Sequence, residues 1–179
     1  MEKFQEKNLE QGNVFVFGEI HEERIERIIE QILYLSSKKR GRPKEITVWI
    51  NSPGGLLQPA LALADLFDHI KPKIKTIGLG TVESAAAYVL MAGTKGKRFI
   101  SKYSSIMLHE FSWSNSGSYT EMASRQKEIE KTRERQSEFV SAKSGKSIAQ
   151  IKKILRHEET WLSPQEAIEW GLVDGIYDG

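Results

Sequence analysis

Ile50-Asn51-Ser52-Pro53-Gly54-Gly55 decides how this chain is read. The stretch closes an apolar run, Ile46 to Ile50, and breaks at once into Pro-Gly-Gly. Val and Ile favour a strand, whereas Pro and Gly end one. Paired glycines reach dihedrals closed to other residues and leave their N–H groups uncovered by side chains. A strand-end turn of this kind can hold a developing oxyanion. Two further pieces follow in order: Gly80-Thr81-Val82-Glu83-Ser84-Ala85-Ala86-Ala87, then Met107-Leu108-His109. A glycine turn, a serine opening an Ala-rich helix and a histidine ending an apolar strand are the parts of an acyl-transfer site.

Outward from these pieces, strands and helices alternate. Asn13 to Gly18 reads as a buried strand ending at glycine, and Glu22 to Ser36 as a helix with Ile25, Ile28, Ile29, Ile32, Leu33 and Leu35 at mostly helical spacing. Leu57 to Ile70 is an apolar helix, Ile74 to Leu79 a strand, and Ser84 to Met91 a short helix. Arg98-Phe99-Ile100 and Ser105 to Leu108 are short strands. Alternation of this kind gives an α/β fold with crossover helices, whose ligand sites sit at strand ends. Glu121 to Lys143 is long, charged and only sparsely apolar, the signature of a helix that projects from a core or lies between subunits. Ser163-Pro164-Gln165-Glu166 starts another helix, with serine as cap and proline at the first position. Ser144 to Ser147 links the long helix to a shorter one, Ile148 to Leu155, and a last strand follows Gly171.

The bulk composition narrows the chemistry. A length of 179 residues suits one domain, and a net charge of +2 gives no general attraction to nucleic acid or membranes. The absence of cysteine excludes disulfides, thiolate nucleophiles and zinc–cysteine sites. No apolar run approaches the roughly 20 residues of a membrane helix, and the charged start of the chain lacks a signal-peptide core. A soluble, cytoplasmic protein with no cofactor is expected. The four histidines lack zinc-ligand spacing, so no metal site is expected. Arg40-Gly41-Arg42-Pro43 resembles a minor-groove hook, but one four-residue match between a helix and a strand reads as a solvated basic loop.

Five blocks in register, Ile50–Gly55, Gly80–Ala87, Met91–Arg98, Met107–His109 and Leu162–Asp174, resemble the proteolytic subunit of the Clp protease (ClpP). The resemblance covers about Val14 to the C-terminus. It implies a ClpP/crotonase fold of repeated β-β-α-type units with a projecting handle at about residues 110–143. The implied domain organisation is a short segment 1–12 followed by one protease domain, 13–179. The implied activity is serine endopeptidase. Ser84 matches the nucleophile, although a serine there also suits a plain helix cap. His109 matches the base, and the N–H groups of Gly55 and Ala85 match the oxyanion hole. For the third triad member, Glu159 stands two residues before Trp161, where the family has aspartate; counting from Gly145 points to Glu158 instead. A dyad with both glutamates on the surface is an equal alternative.

Departures from the family bear on function. Glu83 replaces a small apolar residue beside the nucleophile, and Glu110-Phe111 replaces Gln-Pro after the base. Ser112 to Tyr119 has the length of the family's substrate-pairing strand, with Phe111 and Trp113 as groove or packing residues. The family also implies heptameric rings, stacked as a tetradecamer, acting on unfolded or short polypeptides. Its AAA+ unfoldase partner is in doubt, because only Met1 to Gly12 precede the first strand where the family carries an axial loop. The expectation is therefore ATP-independent peptide hydrolysis. Two other readings stand beside it: a catalytically silent ring subunit or scaffold, and a crotonase-like acyl-CoA enzyme.

Overall fold

The computed structural model describes residues 2–113, 116–155 and 159–179. Met1, Ser114, Asn115, Arg156, His157 and Glu158 lie outside the described residues, so the alternative third member Glu158 and the histidine His157 do too. Five strands form a parallel path in the order β1 (Asn13–Phe17), β2 (Glu45–Ser52), β3 (Lys73–Glu83), β4 (Arg98–Ser101), β7 (Gly175–Tyr177). A sixth strand, β5 (Ser105–Leu108), pairs parallel with the end of β3, and β6 (Thr160–Leu162) pairs antiparallel with β5.

Alternation builds the inner strands. In β2 the burial of Ile46, Val48, Ile50 and Ser52 follows the two-residue period of a strand, with Thr47 and Trp49 turned away. Helix α2 (Glu22–Ser37) buries Ile25, Ile28, Ile32 and Leu35; of the other two apolar positions expected there, Ile29 is partly buried against the core and Leu33 is 46% exposed. Helix α3 (Leu57–His69) buries Leu57, Ala60, Leu63, Ala64 and Phe67, and α4 (Ala85–Met91) is buried along its whole length. These side chains and the inward faces of the strands form one continuous apolar cluster.

Three elements differ from the sequence reading. Strand β3 does not stop at Leu79 but runs on to Glu83. Gly80 takes φ +61° inside it, and the register with β2 shifts between Ile50 and Ser52. That irregularity lets one strand pair with β4 through Thr76–Gly78 and then with β5 through Thr81–Glu83. Glycine there reads locally as a turn, and only the two successive neighbours keep the strand going. Second, residues before the first strand form a helix, α1 (Glu2–Glu10), with Leu9 against the core. The Gly12 carbonyl accepts a hydrogen bond from Thr47 N at 2.8 Å, so this segment is docked. Third, residues 112–113 and 116–118 are not strand, and β6 pairs with β5 instead.

Helix α5 (Tyr119–Ser144) has a complete capping box of Ser118 and Glu121 and ends at Gly145 with φ +78°. Its buried residues, Thr132, Gln136, Ser137 and Val140, all fall in the C-terminal half. The N-terminal half stands clear of the core, as its thin apolar stripe requires. Helices α6 (Ile148–Leu155) and α7 (Pro164–Glu169) complete the chain, the second opened by the Ser163–Glu166 capping box.

Candidate active site

The site forms where β2, β3 and β5 end. Ser84 joins β3 to α4 with φ +51° and ψ −120°, and among the described residues no other non-glycine has positive φ. Such a conformation costs roughly 1–3 kcal/mol and persists only where the surroundings fix it. Ser84 N donates to Met107 O at 2.8 Å, tying the bend to β5. The Ser84 hydroxyl does not cap α4. It lies instead 2.7 Å from His109 Nε2. A helix cap would have pointed the oxygen at the backbone of α4; this geometry points it at a base.

The Pro-Gly-Gly turn is forced against that bend. A Cβ on Gly54 would lie 2.6 Å from Glu83 O and 2.8 Å from Ser84 Cβ, so only glycine admits this approach. Gly55, at φ +140°, bridges to Ile20, and a Cβ there would meet Ile20 O at 2.2 Å. Ile20 N donates to Gly54 O and Leu56 N to Ile20 O, which locks the turn while using neither polar group of Gly55. Ala85 opens α4, where a first N–H has no intrahelical partner. Among the described residues, neither Gly55 N–H nor Ala85 N–H has an acceptor. A strained serine on a base, beside two free backbone donors, can attack a carbonyl and stabilise the resulting oxyanion.

A family model of Clp protease matches residues 1–179, the whole chain. The chain belongs to the Clp protease family. The mixed α/β architecture, which among the described residues is a seven-stranded sheet with seven helices, is consistent with the fold of that family. No helix among the described residues is long and apolar enough to cross a membrane. Two of the sequence blocks, Met91–Arg98 and Leu162–Asp174, carry no candidate site residue. Arg98, 1% exposed, joins the two by donating from Nε and Nη2 to the carboxylate of Asp174 at 3.0 and 2.7 Å. Its Nη1 donates to Lys143 O at 2.9 Å, and so fixes the end of α5 to the sheet. Burial pushes the Asp174 carboxyl up, but the Arg98 side chain, its backbone N–H and that of Gly96 outweigh this and hold it below the usual range.

The described structure brings Ser84, His109, Gly55 and Ala85 together, but Glu159 is not hydrogen-bonded to His109. Its Oε2 accepts from Trp161 Nε1 at 2.9 Å. Among the described residues His109 Nδ1 has no hydrogen-bond partner. Glu83 is half-buried next to Ser84, with no ion-pair partner among the described residues. Phe111 packs against the core, whereas Trp113 is exposed. Glu110 pairs with Arg133 of α5. His21 stands at the N-cap of α2, and His69 Nδ1 lies 2.7 Å from Asp65 O. Among the described residues no group of three or more acidic or histidine side chains is arranged to hold a metal.

One residue escaped the sequence reading. Gln136, 2% exposed, donates from Nε2 to His109 O at 3.2 Å and ties α5 to the end of β5. Beside it lies the buried Tyr88 hydroxyl, whose pKa is raised by burial and partly lowered by the Gln136 side chain. A buried glutamine on a charged helix was the available signal, yet its partner lies 27 residues away. A cleft of about 310 Å³ lies alongside Gln136, with Glu110, Glu130, Arg133, Glu134 and Lys152 among its walls. Helical spacing sets the three α5 charges on one face.

Proposed function

We propose that the chain is a serine endopeptidase acting on unfolded or short polypeptides. The carrying observation is the 2.7 Å contact between Ser84 Oγ and His109 Nε2 at a strained strand-to-helix bend. Ser84 Oγ attacks the scissile carbonyl carbon and gives its proton to Nε2. The carbonyl oxygen becomes the oxyanion, received by the N–H groups of Gly55 and Ala85. Collapse breaks the C–N bond, the imidazolium protonates the departing amine, and an acyl ester remains on Ser84. Water, deprotonated by His109, then releases the acid and restores the serine. In this reading Glu159 orients the imidazole, and no cofactor takes part.

The same proposal assembles the chain into seven-membered rings, stacked in pairs, in the cytoplasm. The exposed N-terminal half of α5, with Tyr119 83% exposed, supports a facing subunit there. Hydrolysis of peptides proceeds without an ATPase because access is set by the barrel, and an unfoldase partner is not required. A second reading, a silent ring subunit, draws on the engagement of Glu159 with Trp161. A fluorophosphonate probe separates the two. The peptidase reading expects labelling that Ser84→Ala removes, together with loss of peptide hydrolysis at unchanged folding. Absent labelling of the wild-type protein would sink it.

A further inference from the structure

The contact that withholds Glu159 from His109 is itself specific. Strand β6 pairs antiparallel with β5 in the register Ile106↔Leu162, Met107↔Trp161, Leu108↔Thr160. One pair further along, that register sets Glu159 opposite His109. Opposed residues of an antiparallel pair carry their side chains on one face, with Cα atoms about 4.5–5.5 Å apart. Glu159 and Trp161 are two residues apart and therefore share that face as well. Glu159 thus stands between two N–H donors. One is the indole of Trp161, which it takes at 2.9 Å; the other is the His109 ring nitrogen remote from Ser84, which has no partner among the described residues. A glutamate has one more methylene than the aspartate of the ordinary triad, which gives the reach to serve either.

We propose that Trp161 is a positioning residue that governs catalysis through Glu159: its indole N–H holds the carboxylate off His109, and loss of that bond lets Glu159 complete the triad. This rests on the serine peptidase reading with Glu159 as the orienting group. Trp161 touches no reacting atom. It sets the share of molecules in which His109 is held in the tautomer that accepts the Ser84 proton. One hydrogen bond to an exposed carboxylate shifts such a two-position equilibrium by about fivefold. Trp161 is half-exposed, so its ring can be replaced without opening the core.

The test is Trp161→Phe, which keeps an aromatic ring and removes the donor. The expected result is a kcat for a short fluorogenic peptide about fivefold above wild type, with KM little changed. A carboxylate on His109 favours the imidazolium, so the acidic limb of the kcat/KM profile moves to higher pH in the variant. Adding Glu159→Gln abolishes both the gain and the shift, which a purely structural effect of the ring would not do. Trp161→Leu serves as a second donor-free variant should the phenylalanine protein fold poorly. A kcat at or below wild type in both variants, with the acidic limb unmoved, overturns the inference. A fluorophosphonate probe run alongside tells the failures apart. If Ser84 is labelled and Glu159→Gln lowers the rate, while neither Trp161 variant gains, only this inference falls. If Ser84 is not labelled, the peptidase reading falls and takes the inference with it.

Discussion

Asp174→Asn tests how the site's scaffold is held. The wild-type carboxylate accepts four hydrogen bonds: from Gly96 N at 2.7 Å, Arg98 N at 3.0 Å, Arg98 Nε at 3.0 Å and Arg98 Nη2 at 2.7 Å. Asparagine keeps one carbonyl oxygen and turns an NH2 toward donors. It also leaves the Arg98 guanidinium, 1% exposed, without its counter-charge. Breaking a buried pair from one side costs about 3–5 kcal/mol, a large part of the roughly 5–15 kcal/mol that keeps a domain folded. Because the folded carboxyl is held below its ordinary value, its contribution is fully present above the unfolded pKa. It is lost as pH falls through the folded one. Urea unfolding of both proteins should therefore show a destabilisation of about 3–5 kcal/mol at pH 7, shrinking once the wild type is itself protonated in strong acid. A difference below about 1 kcal/mol at neutral pH, the worth of one ordinary hydrogen bond, or one that does not change with pH, would refute this account of Arg98 and Asp174.

Other outcomes follow from the same geometry. Gly54→Ala should abolish peptide hydrolysis, since its Cβ would displace Ser84 and Glu83; activity near wild type means the turn does not abut the nucleophile as described. Gln136→Leu removes the donor to His109 O and should lower kcat about tenfold, in keeping with an unsatisfied buried carbonyl costing about 1–3 kcal/mol; an unaltered kcat counts against coupling between α5 and the base. Light scattering should find a ring-sized particle at low and moderate salt, and a monomer under all conditions removes the proposed role of the exposed half of α5. Deleting residues 2–10 should cost stability, because Leu9 packs on the core. If peptide hydrolysis instead rises strongly with stability intact, α1 is a plug and not a docked helix.

Local chemistry determined much from the sequence alone. The two-residue rhythm of β2, the helical stripe of α2 and the Ser163-Pro164 helix start are each encoded within a few neighbouring residues. So is the Pro-Gly-Gly break, since no other residue type fits so close to Ser84. The five ordered blocks pointed to the Clp protease family, which the match over residues 1–179 shows. The tertiary structure decided what depends on distant partners. Whether Ser84 is a cap or faces a base turns on a histidine 25 residues away. Gly80 reads as a turn until β4 and β5 claim successive parts of β3. Gln136 has no visible task until α5 is laid across the base. The register of β6 with β5, continued one pair beyond Leu108 and Thr160, sets Glu159 opposite His109, yet its carboxylate is taken by Trp161, two residues on. Spacing in a sequence sets which side chains share a face; only the packed chain sets which of two neighbouring donors a carboxylate accepts.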